Sequence, residues 1–385
     1  MSQAIAPGAR IGIVGGGQLG LMAALAARAM GYRVGVLDPD PRCAARPLAD
    51  LFVAAPLDDV GGALELARRC AVITAEIEKV PYAVLTAIAE QAPVRPSPKV
   101  WRIVQDRLRQ KQWLARHGFP TGPYHAAKSA AQLATALTRL GGDCFIKAAA
   151  GGYDGHGQIR VGPGSADAIS LWRELGATAC VVERALPLRA EISVLAARRP
   201  SGEIAIFPPA LNHHRRRILD WAVLPAPIHP DLMDQARAIA LAMANTLHLE
   251  GLLVIEMFIR SDRTLLVNEL APRPHNSYHA SEIACQTSQF EQLIRAICNL
   301  PLGGTGIVRP AAIKNLFGQR WAQSADSSFD HSLRDPQVKL RLYGKRPLRP
   351  DRKMGHLLAA GDSPRDALAR VERAAAGAAN KSGFP

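Results

Sequence analysis

The chain has 385 residues, 48% of them hydrophobic and 21% charged, a balance typical of a soluble globular protein. This length exceeds what one ordinary core organises and predicts two or three domains. No apolar run reaches the roughly 18 residues that a membrane span needs, and residues 1–10 contain no apolar signal-peptide core. The six cysteines are scattered without metal-binding or disulfide spacing, which favours reduced thiols in a cytoplasm. The composition therefore argues against membrane-spanning and disulfide-framed proteins.

The net charge of +14 raises the question of nucleic-acid binding. The densest basic runs, RRR at 215–217 and RPLRPDRKMGH at 346–356, contain no interleaved aromatic residues that could stack on bases. A small phosphorylated substrate explains local basic clusters equally well, so we expect no nucleic-acid partner. A non-catalytic basic binding protein is kept as an alternative.

Residues 10–38 predict a strand, a glycine-rich turn, a helix and a second strand. Gly15, Gly17 and Gly20 have the G-x-G-x-x-G spacing, which directs backbone N–H groups and a helix N-terminus toward an anion. Asp38 ends the second strand, near the distance expected of a ribose-binding acid. Because many proteins use the same turn only to pack a helix closely, an NAD-dependent dehydrogenase is one alternative and a structural turn is another.

The pattern changes along the chain. Up to about residue 97, strands alternate with helices, which predicts a parallel sheet in an α/β domain. Residues 101–118 and 280–300 are each expected to form a helix. Between them, successive apolar runs separated by turns predict an antiparallel sheet, so the middle of the chain is α+β.

Lys147 ends one of these strands and precedes the glycine-rich loop GGYDGHGQ at 151–158. A lysine on a strand beside a flexible loop can neutralise phosphate oxygens while the loop closes over them. An ordinary tight hairpin is the alternative, but a turn requires neither Tyr153 nor Asp154. The pattern thus favours a phosphate-binding loop that differs from the P-loop, since no G-K-[ST] follows.

Two acidic residues lie on neighbouring strands of a predicted hairpin. The strands 252–259 and 265–270 are joined by SDRT, and this turn places Glu256 opposite Asn268 or Glu269. Two carboxylates and an amide oxygen suit Mg²⁺ that bridges nucleotide phosphates. Burying two unpaired acids with no such role would be costly.

The second strand of this hairpin runs into NELAPRPHNSYH, residues 268–279. Its prolines continue neither a helix nor a central strand, so Arg273, His275 and Asn276 are expected at a strand end. Guanidinium, imidazole and carboxylate groups together can bind a metal and an anion and transfer a proton. The sequence thus predicts the catalytic centre here.

A basic cluster occupies residues 342–356, and it reads either as a phosphate-binding patch or as a solvated surface. Its basic side chains are Lys345, Arg346, Arg349, Arg352, Lys353 and His356.

Together these segments resemble the ATP-grasp superfamily and, within it, the family of N5-carboxyaminoimidazole ribonucleotide synthetases. The matching stretches are GGGQLG, TAEIEKVP (74–81), QDRLRQK (105–111), GGYDGHGQ, NELAPRPHNS, TSQFEQLIRA (287–296) with LPLG, and YGK with RKMGH. They span nearly the whole chain in order.

The resemblance implies a Rossmann-like N-terminal domain (1–104), a two-lobed ATP-grasp core (105–303) and a small β-rich C-terminal domain (304–385), thus α/β and α+β. It implies carboxylation of 5-aminoimidazole ribonucleotide (AIR) with ATP, Mg²⁺ and bicarbonate through carboxyphosphate, in purine biosynthesis. A cytoplasmic homodimer with no nucleic-acid or membrane partner is expected. A neighbouring ATP-grasp ligase, such as a formate-dependent transformylase or a biotin carboxylase, is the second alternative.

The resemblance also implies residue roles. The residues expected to bind ATP are Arg107, Lys147, Gly152, Tyr153, Asp154, Gly155, His156, Gly157, Gln158, Glu183, Arg184, Ala185, Leu186, Glu191, His214, Asn268 and Glu269. Those expected to bind AIR are Gly17, Gln18, Leu19, Glu76, Lys345, Arg352 and Lys353. The metal ligands would be Glu256, Asn268 and Glu269, and the catalytic residues Arg273, His275, Tyr153 and Asp154. The chain departs from the family pattern at Leu21, Tyr278, Ala280 and Leu293, and we expect Tyr278 to narrow the AIR pocket.

Overall fold

A computed structural model of the chain describes residues 3–151, 157–162, 164, 167–318 and 329–377. Its first segment alternates strands and helices as the sequence predicts. The elements are β1 (Arg10–Val14), α1 (Gln18–Ala29), β2 (Arg33–Leu37), β3 (Leu51–Val53), α2 (Val60–Ala67), β4 (Val72–Ala75) and α3 (Tyr82–Ala89). The four strands form a parallel sheet in the order β3-β2-β1-β4. The predicted parallel α/β domain is confirmed.

The next segment corrects the single helix predicted over 101–118. It forms two helices, α4 (Pro98–Val104) and α5 (Arg107–Arg116). The side chain of Asp106 accepts a hydrogen bond from the backbone N–H of Arg109 at 2.8 Å, so it caps the second helix. Apolar periodicity continues through the break, and for that reason the pattern alone concealed it.

A small antiparallel sheet follows and forms the first lobe of the core. Its elements are β5 (Tyr124–Ala127), α6 (Ala130–Leu140), β6 (Cys144–Ala148), β7 (Gln158–Val161), α7 (Ala168–Leu175) and β8 (Cys180–Arg184). The strands lie in the order β5-β8-β6-β7, with the glycine-rich loop between β6 and β7. The two helices pack on this sheet through a separate apolar cluster that includes Leu133, Leu137 and Leu171.

The second lobe is built on a nine-stranded sheet. Its strands are β9 (Leu188–Arg198), β10 (Ile204–Ile206), β11 (Ala210–Arg215), β12 (Ile218–Leu224), β13 (Gly251–Arg260), β14 (Leu265–Ala271), β15 (Ala311–Phe317), β16 (Val338–Leu342) and β17 (Lys353–Ala360). Their order is β14-β13-β9-β11-β12-β15-β17-β16, with β10 beside β9. The helices are α8 (Pro230–Thr246), α9 (Ser281–Ala284), α10 (Gln289–Ile297) and α11 (Pro364–Gly377). The predicted helix over 280–300 is thus two helices.

The C-terminal strands extend the sheet of the core. β15 pairs antiparallel with β12, with Trp221 opposite Lys314 and Leu224 opposite Ala311. β17 and β16 continue the same sheet, and α11 packs on it through Val371 and neighbouring residues. The small C-terminal domain is therefore joined to the core by main-chain hydrogen bonds.

The N-terminal domain docks on the core through α1 and α10. Met22 and Ala23 share one buried apolar cluster with Leu293 and Ile294. Arg95 adds an ion pair to Glu250 at 2.8 Å, and its own side chain is buried. The two lobes and the N-terminal sheet thus meet around the exit of β14. Among the described residues, no helix is both long and apolar enough to cross a membrane.

Candidate active site

The hairpin β13–β14 brings the predicted acidic pair together. Glu256 lies directly opposite Glu269, and a bulge follows at Met257, where the register shifts. The bulge breaks the alternation of side chains, so consecutive residues of β14 reach the same region. The amide nitrogen of Asn268 lies 3.5 Å from Glu256 Oε2, and Glu269 Oε1 lies 3.2 Å from Nη1 of Arg107. The predicted pairing of Glu256 with Asn268 or Glu269 is confirmed.

The surroundings of Glu256 make its carboxyl group harder to ionise than that of an ordinary glutamate. The pKa of its carboxyl is raised to about 7, mainly by burial and also by Glu269 and Glu191, against the lowering effect of His214. The described residues contain no group of three or more His, Cys, Asp or Glu side chains with metal-site geometry. A site of two carboxylates and an amide oxygen nevertheless fits Mg²⁺, whose charge would relieve the repulsion between the acids.

His275 follows β14 and is held on both edges of its ring. Nε2 lies 3.3 Å from Oε1 of Glu256, and Nδ1 lies 2.9 Å from Oγ of Ser277. Oγ of the fully buried Ser277 bonds in turn to Oγ of Ser193 at 2.8 Å. The imidazole is therefore fixed next to the acidic pair, where it can exchange protons.

Arg273 is oriented from the N-terminal domain. Its Nε lies 2.8 Å from Oε1 of Glu78, which belongs to the loop after β4. The guanidinium is mostly buried. Nη1 donates to the carbonyl of Pro274 at 3.0 Å, so Glu78 and Pro274 together fix the plane of the group at the β14 exit, where a guanidinium can bind an anion.

A second charged cluster lies where α5 meets the small sheet. Glu183 forms ion pairs with Lys147 and with Lys111, the latter at 2.8 Å. Burial raises the pKa of Glu183, but Lys147 and Lys111 lower it more, to about 2. Lys147 also lies 3.4 Å from Oδ1 of Asn268, which links this cluster to the acidic hairpin. Two ammonium groups share one carboxylate here, so a second anion such as a phosphate would be favourable nearby.

The nucleotide residues predicted on the glycine-rich loop divide into two groups. Gly157 and Gln158 are described, and the carbonyl of Gly157 accepts a hydrogen bond from the N–H of Ala148 at 2.8 Å. The carbonyl of Gln158 accepts one from Arg217 at 2.7 Å. The others lie outside the described residues, namely Gly152, Tyr153, Asp154, Gly155 and His156.

The predicted adenine-binding segment joins the two lobes. β8 ends at Arg184 and β9 begins at Leu188, so Ala185 and Leu186 lie in the connection between the small and large sheets. On the large sheet, Nδ1 of His214 is 2.7 Å from Oε2 of Glu191. Both residues line a cleft of about 350 Å³ with Asn212 and Trp221. At about 350 Å³ this cleft is large enough to hold part of a small molecule.

The turn GGGQLG binds anions, as predicted, but the anions are the chain's own carboxylates. The N–H of Gly16 donates to Asp38 Oδ2 at 2.7 Å. The N–H groups of Gly17 and Gly20 each donate to the carboxylate of Glu76 at 2.5 Å. A Cβ on Gly17 would lie 2.6 Å from Glu76 Oε1, so glycine is required for this approach.

Beside this turn, Gln18 connects three parts of the chain. Its amide lies 2.5 Å from that of Asn276, 2.7 Å from Nε2 of His279 and 3.4 Å from Nζ of Lys345. Lys345 Nζ is also 3.2 Å from the carbonyl of Lys353. The predicted AIR residues of the turn and of the C-terminal segment thus meet at one place.

Arg352 braces the loop between β16 and β17. Its guanidinium donates to the carbonyls of Arg346 at 2.8 Å and Pro347 at 3.1 Å. The basic cluster is therefore an ordered loop that carries Lys345 and Lys353 toward the N-terminal domain.

Three family models match the chain. They describe the ribonucleotide synthetase preATP-grasp domain (residues 9–105), the ATP-grasp domain (112–290) and the phosphoribosylaminoimidazole carboxylase C-terminal domain (311–370). The N5-carboxyaminoimidazole ribonucleotide synthase of Brucella melitensis is 39% identical over 352 residues, 91% of this chain and 96% of that protein. The same enzyme of Bacillus subtilis is 37% identical over 360 residues, 92% of each chain.

The chain belongs to the N5-carboxyaminoimidazole ribonucleotide synthase family. A solved ADP complex of such a synthetase superposes with a TM-score of 0.92 at 37% identity, covering 97% of this chain and 98% of that one. The Aspergillus clavatus enzyme, solved with ADP and AIR, has a TM-score of 0.86 at 26% identity, covering 96% and 98%. The chain is an ATP-grasp ligase that carboxylates AIR in an ATP-dependent reaction of purine biosynthesis. The dehydrogenase, other-ligase and binding-protein alternatives are thereby set aside.

The residues that depart from the synthase family pattern are buried or pack on a buried apolar cluster. Tyr278 is fully buried, and its hydroxyl donates to the carbonyls of Ser193 and Pro208 at 2.9 and 2.8 Å. The expectation that it narrows the AIR pocket is wrong, because the ring packs beneath the sheet against Phe207. Leu293 is buried, and Leu21 packs on the same apolar cluster.

Several residues of the site were not singled out from the sequence. Lys111 lies in QDRLRQK and Glu78 in TAEIEKVP, two segments that match the family, and the charged residues of these segments could have indicated a site. Ser277 and His279 lie within NELAPRPHNSYH and Gln289 within TSQFEQLIRA, but their residue types do not separate them from ordinary polar positions. Their partners lie far away in the sequence, which explains the omission.

Proposed function

We propose that this enzyme uses bicarbonate as its carbon source and activates it as carboxyphosphate at the exit of β14. The observation that carries the proposal is the convergence of Glu256, Glu269, Arg273 and His275 between the two lobes and the N-terminal domain. A bicarbonate oxygen attacks the γ-phosphorus of ATP and ADP leaves. The 5-amino nitrogen of AIR then attacks the carbon of carboxyphosphate, a C–N bond forms as the C–O bond to phosphate breaks, and the nitrogen loses a proton.

The ATP site is proposed between the two sheets. Arg107 and Lys147 would bind phosphate oxygens, with Lys111 beside them, because all three present positive charge toward the acidic hairpin. Glu191 and His214 would bind the nucleoside in the adjoining cleft, and residues 183–186 would contact the base at the lobe connection.

Glu256, Glu269 and Asn268 would hold Mg²⁺. The ion supplies charge neutralisation for the phosphoryl group when it is bound. The raised pKa of Glu256 supports this assignment, since burial and two neighbouring carboxylates make its ionisation unfavourable without a cation. Asn268 would add its amide oxygen, which lies 3.4 Å from Nζ of Lys147, while its amide nitrogen lies 3.5 Å from Glu256.

Arg273 and His275 are proposed to carry the carboxylation step. Arg273, fixed by Glu78, would bind bicarbonate and then the carboxyphosphate through paired N–H donors. His275, fixed by Ser277 and Glu256, would exchange the proton of the attacking amine. Tyr153 and Asp154 remain proposed partners from the loop.

AIR is proposed to bind where the GGGQLG turn meets the C-terminal loop. Gln18, Lys345 and Lys353 lie together there, and the proposed site also includes Gly17, Leu19, Glu76 and Arg352. The position is next to Asn276, one residue from His275, so the amine of AIR can reach the activated carboxyl group.

The test is ADP release by the purified enzyme with Mg-ATP, with and without bicarbonate and AIR, using carbon-labelled bicarbonate. Release that requires both substrates, with label retained in the ribonucleotide, supports the proposal. ATP turnover that ignores bicarbonate contradicts it, and turnover that ignores AIR moves the acceptor to another amine.

The domain boundaries 1–104, 105–303 and 304–385 belong to the same proposal, as do a homodimer and a cytoplasmic location. All six cysteines lie in the described part of the chain as free thiols, which agrees with a reducing compartment. Light scattering coupled to gel filtration tests the dimer.

A further inference from the structure

The amide of Gln289 has one permitted orientation. Its Oε1 accepts the backbone N–H of His275 at 2.9 Å, and its Nε2 donates to the carbonyl of the same residue at 3.0 Å. A rotation of the amide by 180° would set donor against donor and acceptor against acceptor. The backbone of His275 therefore determines which end of Gln289 is the NH₂ group.

That NH₂ group determines the tautomer of His279. Nε2 of Gln289 lies 3.1 Å from Nδ1 of His279, so Nδ1 must accept. The ring is buried, and burial together with His356, His275 and nearby lysines keeps its pKa well below the usual value. A neutral imidazole that accepts at Nδ1 carries its proton on Nε2.

The tautomer in turn determines the orientation of Gln18. In the structure, Nε2 of Gln18 lies 2.7 Å from Nε2 of His279, so the Gln18 amide must turn by 180° to offer its carbonyl oxygen to the His279 N–H. The opposite orientation would set two N–H groups against each other. In the orientation shown, Nε2 of Gln18 donates to Oδ1 of Asn276 at 2.5 Å; after the turn of Gln18, Asn276 must turn as well and donate its own N–H. Turning both amides together satisfies both short contacts.

The NH₂ group of the turned Gln18 then points toward Lys345, whose Nζ donates to Gln18 Oε1 in the orientation shown. Nζ lies 3.4 Å from the Gln18 amide, which is the longest contact in the network. Losing this weak bond costs less than leaving two N–H groups, of Gln18 and His279, facing each other at 2.7 Å. Two donors at this separation can share one oxygen acceptor.

We propose that His279 is a positioning residue, which as its Nε2–H tautomer turns the NH₂ of Gln18 toward Lys345 so that both groups donate to one oxyanion of the ribonucleotide. The inference rests on the proposed placement of AIR beside Gln18 and Lys345. It adds a donor at Gln18 and a reason why the neutral His279 and Gln289 are buried behind it.

The direct test is ¹⁵N NMR of histidine-labelled enzyme, with the His279→Asn variant used to assign the signal. We expect an unprotonated Nδ1 and a protonated Nε2 between pH 6 and pH 8 (about the range in which His usually titrates). An Nδ1–H tautomer, or a charged ring, would overturn the proposal without reference to activity.

Kinetics separate positioning from a structural role. His279→Asn keeps an acceptor for Gln289 but loses the donor to Gln18, so KM for AIR should rise by about tenfold with kcat little changed. His279→Gln keeps an N–H near the Nε2 position and should recover most of that loss. The exposed His248→Asn is the matched control. Equal losses in AIR affinity, ADP affinity and Tm in both His279 variants would show a merely structural role.

Gln18→Glu gives the sharpest contrast. A carboxylate still accepts from His279 but places an oxygen beside Lys345 where the NH₂ should be, so KM for AIR should rise by about 100-fold or more. An unchanged KM overturns the assignment of the donor. Wild-type enzyme that shows no AIR-stimulated ADP release overturns the proposed ribonucleotide site, even if NMR finds the Nε2–H tautomer.

Discussion

The two glutamates Glu256 and Glu183 have neighbours of opposite charge. Glu256 faces two further carboxylates, whereas Glu183 faces two ammonium groups. Burial is the main reason that the pKa of Glu256 is raised, to about 7, and the two carboxylates contribute, whereas the lysines outweigh burial and lower the pKa of Glu183 to about 2. Opposite shifts in these two acids agree with the proposed roles, Glu256 as a cation ligand and Glu183 as the partner of the two lysines.

Replacing Glu269 by Gln should abolish turnover with little loss of fold. The side chain is 41% exposed and its ion pair with Arg107 contributes little to stability, but the change removes a proposed metal ligand. We expect kcat to fall by about 100-fold or more, measured as AIR-dependent ADP release. The exposed Glu90→Gln is the control, and full activity in Glu269→Gln would refute the metal assignment.

Replacing Lys111 by Met tests the buried cluster. The change leaves Glu183 with Lys147 as its remaining lysine partner, and breaking a buried pair costs about 3 kcal/mol of unfolding free energy. Urea unfolding measures this loss, and the exposed Lys99→Met should show almost none. Unchanged stability in Lys111→Met would mean that the Glu183 pairing is not an energetic requirement.

At the scale of elements, the break between α4 and α5 places Arg107 at the start of a helix. Asp106 caps α5, and the N–H of Arg107 donates to the carbonyl of Ala149 at 2.7 Å. The helix start is thereby attached to the end of β6, two residues beyond Lys147. Two elements that are distant in the sequence thus aim their basic residues at one site.

Asp106→Ala should lower the unfolding free energy by about 1 kcal/mol, because α5 loses its cap. Asp106→Ser should retain most of the stability, since serine also caps. The ATP-dependent activity of the alanine variant should fall because the position of Arg107 loosens. Equal stability of the two variants would contradict the capping role.

His356 connects β17 to the end of β16. It is fully buried, its Nδ1 lies 2.5 Å from the hydroxyl of Tyr343, and its ring stacks on His279 at 4.6 Å between centroids. Burial lowers its pKa to about 3, with a further contribution from Arg341. The folded protein therefore holds the neutral imidazole, and the free energy of unfolding depends on pH.

The sign of the pH effect follows from this lowered pKa. The stabilisation is complete above the ordinary pKa of about 6.5 and is lost as pH falls from there toward 3, by about 1.4 kcal/mol per pH unit. Urea unfolding between pH 7.5 and pH 5 (about the range in which this loss begins) should show a steeper decline in the wild type than in His356→Phe. Parallel slopes would show that His356 titrates normally in the folded state.

In the whole molecule, the second lobe and the C-terminal segment are one sheet. β12 would be an open edge without β15, and apolar residues on both strands share a buried cluster. A chain that ends at residue 303 should therefore aggregate or remain unfolded, as judged by gel filtration and circular dichroism. A chain that ends at residue 377 is the control. A folded, ATP-binding 1–303 fragment would show that the core is independent.

Much of this architecture could be predicted because local patterns encode it. Residues 10–38 carry strand and helix periodicity, and the short SDRT turn sets the register that brings Glu256 opposite Glu269. The helix breaks near Asp106 and Cys285 were missed, since apolar periodicity continues across them. Tyr278 was misplaced because its position next to His279 says nothing about which face it occupies.

The sequence by itself determined the element types, the acidic hairpin and the chemistry of the exit segment, because these depend on periodicity and turn residues within a few positions. The tertiary structure decided which groups meet. Gln18 contacts His279 across 261 residues, Glu76 reaches Gly17 across 59, and Lys147 reaches Asn268 across 121. Such pairings depend on how domains dock and side chains pack, and a one-dimensional pattern contains no distance between segments.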